Sequence, residues 1–193
     1  MGIFDLLFIL VFLASAATLL AALFLAVRGR GARARAWLCG WAIGAAAYLG
    51  IVAVSSAFWP RRVLHVGERR CFDDWCIAVE NAVRRPANGQ VAYRFNLRLS
   101  STARRVSQRE FGLAVYLSDD RGRRYDPVPN QSDVPFSVPL APRESVTTAR
   151  LFEVPADAHT LGLVIAHEGG FQMGWLIIGE EAWFHKPTIV RLS

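Results

Sequence analysis

A transmembrane hairpin of two α-helices followed by an all-β antiparallel sandwich is the fold class that the sequence predicts, and three observations predict it. Two charge-free apolar runs open the chain, separated by Arg28-Gly-Arg-Gly-Ala-Arg-Ala-Arg35. From Val63 onward the unbroken runs give way to short alternating segments set apart by Pro, Gly, Asn and Asp, the pattern of strands and turns. Finally, 53% of the 193 residues are hydrophobic, too many for an ordinary soluble domain of this length. The domains expected are therefore residues 1–60, with helices over about 4–27 and 36–59 joined by an arginine-rich elbow at 28–35, and residues 61–193.

The first run, Leu6 to Val27, has no charged side chain and is dense in Leu and Phe. As a helix it measures roughly 33 Å, enough to cross the hydrocarbon of a bilayer. Ala14-Ser15-Ala16 looks like a signal-peptidase site, but no Lys or Arg precedes the run and the run continues past it, so an uncleaved span is expected. The second run, Ala36 to Trp59, is built largely from Ala and Gly and also lacks charge. An elbow so short requires the two helices to be antiparallel. Trp37 and Trp41 near one end and Phe58 and Trp59 at the other match the aromatic belts of two membrane interfaces, and Pro60 stops the helix. Gly40, Gly44 and Ala47 form a small-residue face suited to close helix packing. Its plainer use is packing against the first helix, and its sharper use is a homodimer or a protein partner within the bilayer.

In the domain the best single strand is Val91 to Leu99. Val91, Tyr93, Phe95, Leu97 and Leu99 fall on one face and Arg94, Asn96 and Arg98 on the other, as a sheet with one side buried requires. Further strands are expected at 76–83, 111–117, 146–154, 161–166, 175–178 and 188–192. Ser-Asp-Asp-Arg-Gly at 118–122 reads as a turn, and the prolines between Asp126 and Pro139 mark the longest loop. About seven strands fit two packed antiparallel sheets, the immunoglobulin-like architecture.

Tyr-Leu-Ser-Asp-Asp-Arg-Gly-Arg-Arg-Tyr (116–125), Leu-Ala-Pro-Arg-Glu-Ser (140–145) and Leu-Phe-Glu-Val-Pro (151–155) follow one another. This succession resembles a bacterial family of unknown function whose extracytoplasmic domains are immunoglobulin-like sandwiches similar to secreted mycobacterial immunogenic proteins. The likeness spans residues 90–170, with Arg143 standing where the pattern has a glycine. It implies a fold and a location and brings no catalytic residues with it.

Charge and cysteines bear on placement. Residues 60–193 carry 18 basic and 15 acidic side chains, a balance too even to point to nucleic acid. Arg61, Arg62, Arg69 and Arg70 equal the elbow's four arginines, so a simple count does not orient the hairpin. Charges in a short loop resist translocation more than charges heading a long domain, and the close pair Cys71 and Cys76 suits an oxidising space. Both termini and the domain are therefore expected outside the cytoplasm of a bacterial plasma membrane, with the lipid bilayer as the first partner.

Cys71-Phe-Asp-Asp-Trp-Cys76 is expected to close as a structural disulfide. A redox-active pair, which usually has two intervening residues and not the four found here, and a zinc site using His65 are the rival readings. Asp73, Asp74 and Trp75 are candidates for partner contact at an acidic tip, against the plainer reading of Trp75 as a core residue. Trp183 and Phe184 are a second candidate contact, or a cover for the sandwich's end. Asp119, Asp120 and Asp126 are weighed for calcium and fit no standard loop. His65, His159, His167 and His185 are scattered, with neither Gly-x-Ser-x-Gly nor His-Glu-x-x-His to organise them. The expectation is a non-enzymatic interaction or sensing module that takes no metal and no cofactor. Its rivals are a structural subunit of a larger membrane complex and a metal-binding or hydrolytic extracytoplasmic protein.

Overall fold

The structure is a computed structural model and describes residues 3–87, 89–168, 173–178, 182 and 185–192. It divides into two compact units, residues 1–60 with 171–186, and residues 61–170 with 187–193. One division between the units falls between Pro60 and Arg61. Segment 171–186, read as part of the sandwich, groups with the helices instead.

The helical unit consists of α1 (Ile3–Val27) and α2 (Gly31–Phe58). The elbow is shorter than the sequence suggested, because Arg33 and Arg35 already lie in α2. Gly29 makes this tight turn: at φ +72° it sends its N–H to the Ala26 carbonyl at 3.0 Å, while the Arg30 N–H reaches the Leu25 carbonyl at 2.9 Å. These two bonds form a Schellman cap, which needs a left-handed residue at that position.

Phe8, Val11, Ser15, Thr18, Ala22 and Leu25 are the less exposed stripe of α1, and Ala34, Trp41, Ala45, Tyr48 and Val52 that of α2. Their alternating spacings of three and four are those of helices packed side by side. At the far end Phe4 meets Trp59 edge-on at 6.2 Å, so the hairpin is antiparallel. The remaining circumference is bare: only 6% of the most apolar stretch of each helix is buried. Leu13, Leu20, Leu23, Ile43 and Val54 are each more than half exposed.

Residues 175–178, expected as a strand, are not one. Met173–Leu176 form a 3₁₀ turn whose Leu176 carbonyl accepts the Tyr48 hydroxyl at 2.7 Å. A short apolar run has no periodicity to distinguish strand from helical turn, and a tyrosine on an apolar helix face finds its hydroxyl a partner.

The second unit comprises β1 (Val63–Leu64), β2 (Arg69–Phe72), β3 (Trp75–Ala87), β4 (Gln90–Ser101), β5 (Leu113–Ser118), β6 (Arg124–Tyr125), β7 (Ser145–Pro155), β8 (Gly162–His167) and β9 (Thr188–Arg191). One sheet has the order β1-β9-β8-β5-β6 and the other β2-β3-β4-β7. The pairings are antiparallel except β1 with β9, which is parallel. Those two strands come from opposite ends of the domain, so no hairpin dictates their direction.

The inner faces of the two sheets meet in one core. Trp75, Ile77, Leu97, Leu99, Phe95 and Phe152 come from one sheet, and Leu64, Val115, Leu117, Leu163, Ile165 and Val190 from the other. Phe95 and Phe152 pack as a T at 5.4 Å. The alternation read in β4 holds, with Val91, Phe95, Leu97 and Leu99 buried and Arg94 and Arg98 exposed.

Strand β3 runs four residues further than the sequence suggested. Its register to β4 shifts between Val79 and Asn81, a bulge that leaves one extra residue. β2 pairs only with Trp75 to Ala78, so β3 beyond Val79 is a sheet edge, where Pro86 removes no ladder bond. The opposite edge, β7, is covered by the loop between β6 and β7. The Val128 N–H donates to the Leu151 carbonyl at 2.7 Å, and Thr148 Oγ1 donates to the Val134 carbonyl at 3.0 Å. Buried Arg150 adds Nη2 to Val134 O at 2.9 Å, an ion pair with Asp133 at 3.5 Å and its guanidinium over Phe136 at 4.3 Å. Burial lowers the pKa of Arg150, while the Asp133 charge raises it.

Candidate functional site

Cys71 and Cys76 face each other across β2 and β3 and form a disulfide. Closing so short a loop restricts the unfolded chain by about 2 kcal/mol on the chain-entropy estimate. The turn between them places Asp73 at φ +49°, a conformation that aspartate tolerates. With both sulfurs joined, the thiolates of the alternative zinc site are gone. His65 instead takes the Glu68 carboxylate on its backbone N–H at 2.8 Å.

Trp75 is not an exposed contact. It is 1% exposed, because the period of β3 points it inward with Ile77 and Val79. Asp73 and Asp74 are exposed, and Asp74 is held by Thr102, whose N–H donates to the Asp74 carbonyl at 2.8 Å and whose hydroxyl donates to Oδ1 at 3.2 Å. Trp183 and Phe184 lie outside the described residues. Gly40, Gly44 and Ala47 are exposed, and a Cβ added at Gly40 or Gly44 would meet no atom within 4 Å. The more buried stripe of α2 runs through Ala34, Ala45 and Val52, and Gly44 lies at its margin, lining a groove with Phe8, Val11 and Ser15 of α1.

Two of the three aspartates weighed for calcium, Asp119 and Asp126, serve arginines. Asp119, whose side chain is fully buried, accepts the N–H groups of Arg121 and Arg123 at 3.0 and 2.8 Å. It also takes Arg123 Nε at 2.6 Å and the Tyr125 hydroxyl at 3.1 Å. Desolvation pushes its carboxyl upward, but the bonds from Arg123 and Tyr125 and the guanidinium charge outweigh that and hold it down at about 2. Arg121 and Arg123 also reach Asp157 at 3.1 and 3.0 Å, and Asp126 pairs with Arg124 at 2.6 Å. This corner ties the β5–β6 turn to the β7–β8 connection.

The histidines stay apart. His167 meets Glu110 at 2.8 Å and packs edge-on against Phe72 at 4.4 Å. His185 Nε2 lies 3.4 Å from the Pro60 carbonyl, and the His159 carbonyl accepts the Asp120 N–H at 3.4 Å. Among the described residues no three His, Cys, Asp or Glu side chains converge as metal ligands.

A groove that the sequence reading did not single out lies on the outward face of the β2-β3-β4-β7 sheet. Its volume is about 400 Å³, and it is lined by Arg69, Glu80, Arg98, Ser100, Arg143 and Ser145, with Gly67, Ala78, Ser101 and Thr102. The register explains it. Arg69 pairs with Ala78 and Ala78 with Arg98, so two guanidinium-bearing strands flank a methyl group, their backbones two strand spacings or roughly 10 Å apart. Ser100 pairs with Ser145 in the next row, and small side chains there keep the floor low.

Arg143 closes one end of the groove from the turn Ala141-Pro142-Arg143-Glu144, in which the Glu144 N–H returns to the Ala141 carbonyl at 3.0 Å. Pro at the second position and φ +64° at the third are the pattern of a type II turn, whose third position favours glycine. An arginine there costs on the order of 1 kcal/mol in backbone strain. Arg98 Nη2 donates to Ser145 Oγ at 3.2 Å. Among the described residues Arg69 and Arg143 engage no carboxylate. Periodicity alone could show that Arg98 faces outward. Bringing Arg69 and Arg143 beside it requires the register of four strands.

No family model matches the chain, and no curated protein matches it. Three solved structures are similar to it in outline. One is an uncharacterised β-sandwich protein from Clostridium difficile, 12% identical, covering 69% of this chain and 95% of that one with a TM-score of 0.44. Another is a conserved hypothetical protein from Bacillus anthracis, 12% identical, covering 53% and 89% with a TM-score of 0.43. The third is the secreted protein MPT63 from Mycobacterium tuberculosis, 12% identical, covering 69% of this chain and 98% of that one with a TM-score of 0.45.

Proposed function

We propose that the protein is a non-enzymatic, membrane-anchored module whose immunoglobulin-like sandwich serves interaction or sensing outside the cytoplasm of a bacterial plasma membrane. One observation carries this reading. Two helices long enough to span a bilayer keep apolar side chains around nearly their whole circumference, with 6% of each apolar stretch buried, whereas the β domain closes its own core. Such helices are stable in hydrocarbon, where no backbone group needs water and exposed leucine costs nothing. With the four arginines of the hairpin's tip in the cytosol, both termini lie outside, and the Cys71–Cys76 bond falls in oxidising space.

The test is thiol accessibility in intact cells. Cys71 and Cys76 are expected to resist a membrane-impermeant maleimide until a reductant is added, and then to react without permeabilisation. Reaction of Cys71 and Cys76 only after lysis, or free thiols at those two positions in untreated cells, would overturn the placement.

A second reading, a subunit that docks its hairpin in a larger complex, is favoured by the open face at Gly40 and Gly44. Single cysteines along that face distinguish the two, since specific cross-links confined to the Gly40 and Gly44 stripe belong to the subunit and their absence to the tether.

A further inference from the structure

We propose that the groove on the outward face of the β2-β3-β4-β7 sheet binds an oxyanion, the phosphate group of its ligand, between Arg69, Arg98 and Arg143. Resting on the reading of the sandwich as a binding module, the proposal names the chemistry that the module recognises.

Three features converge on one place. The register sets Arg69 and Arg98 on either side of Ala78, leaving room for a tetrahedral group above a methyl. Among the lining residues three guanidiniums stand against one carboxylate, Glu80, and the described residues offer Arg69 and Arg143 no carboxylate partner. Four other arginines of this domain have carboxylate partners, Arg121 and Arg123 with Asp157, Arg124 with Glu168 and Asp126, and Arg150 with Asp133. What sets Arg69, Arg98 and Arg143 apart is that they line one groove.

The second feature is the hydroxyl side. Ser145 Oγ already orients Arg98, and Ser100 lines the same groove. Guanidinium forks with neighbouring hydroxyls supply the donors that phosphate oxygens accept.

The third feature is Arg143 itself. It holds φ +64° at the third position of a type II turn, where glycine would remove the strain. An arginine kept in this conformation, with its side chain lining a basic groove, is explained by what the guanidinium binds.

The experiment uses the full chain in maltoside micelles, which carry no phosphate, with inorganic pyrophosphate as the probe in calorimetric titration. Saturable binding is expected, with affinity falling at least tenfold in Arg143→Gly and in Arg98→Ala. Because glycine suits the turn, Arg143→Gly is expected to unfold at the same temperature as the parent or higher when no anion is present, which separates lost binding from lost folding. Arg85→Ala removes the same charge outside the groove and is expected to leave affinity unchanged.

Absence of saturable binding by the parent chain would overturn the proposal, as would equal affinities in parent and Arg143→Gly, or a loss in Arg85→Ala as large as in Arg143→Gly. In nanodiscs, displacement of pyrophosphate by phosphatidylglycerol would assign the phosphate to lipid headgroups, and retention would assign it to a soluble ligand. The site is supported either way. Pyrophosphate binding in micelles is independent of which side of a membrane the domain occupies, so failure here leaves the topology measurement standing, and the reverse.

Discussion

Asp119 is the buried carboxylate of the sandwich among the described residues, and its two oxygens take four donors from Arg121, Arg123 and Tyr125. Held at about 2 in the folded chain against a value near 4 in an unfolded one, this carboxyl contributes stability that is fully present above about pH 4. The contribution is lost as pH falls through about 2, because below that point both states carry the proton. Asp157, whose pKa the Arg123 hydrogen bond lowers, acts in the same direction. The unfolding midpoint is expected to decline between pH 4 and pH 2. Asp119→Asn is expected to be less stable at pH 7 and to decline less steeply, and an unchanged slope in that variant, read by thermal denaturation, would remove Asp119 from the account. The sequence showed that Asp119 belongs to a turn, since the residues around it are turn formers. Which aspartate turns inward, and which arginine meets it, depends on the β5–β6 pairing and on the distant β7–β8 connection, and neither leaves a trace in local composition. Trp75 shows the same limit from the other side. A tryptophan beside two aspartates can be read as an exposed tip or as a core residue, and the parity of β3 decides.

At the scale of elements, strands with one wet face were the most legible. β4 is readable residue by residue because arginine and asparagine alternate with apolar side chains, and a slip of one residue would bury charge. β3 is less legible at its end, because Arg84-Arg85-Pro86 breaks the alternation, whereas pairing with β4 continues to Ala87. The dipeptide Asn88-Gly89 is a hairpin turn sequence, and Gly89 has φ +81°. The proline-rich loop was legible as a loop, but its attachment to β7 was not, since that depends on one buried arginine. Arg150→Ala is expected to release residues 126–139 from β7, so that limited proteolysis cuts the variant within that segment at least tenfold faster than the parent, with cleavage elsewhere unchanged. Equal cutting would show that the Val128 and Thr148 hydrogen bonds hold the loop without it.

For the whole molecule, two helices followed by a sandwich was legible from hydropathy alone, because a run without charge and a two-residue alternation are both first-order patterns. The division of the chain was less so. Segment 171–186 follows eight strands and looks like one more piece of sheet, yet it belongs to the helical unit. The apolar exposure of α1 and α2 makes a prediction at this scale. The protein is expected to stay in the pelleted fraction after alkaline carbonate extraction of membranes and to enter solution only with detergent. Release by carbonate would mean that the helices lie on the surface or are covered by protein. The groove belongs to this scale too, since none of its three arginines is unusual in a sequence where arginine outnumbers lysine 21 to 1.

The long hairpin arm of β3 has one further consequence. Copies of a chain gathered on a surface meet broadside, and an unguarded strand flank would let one sheet run on into the next without end. Past Val79 that flank is kinked by the register shift, studded with Arg84 and Arg85 and interrupted by Pro86, which makes it a poor template for strand addition by another copy.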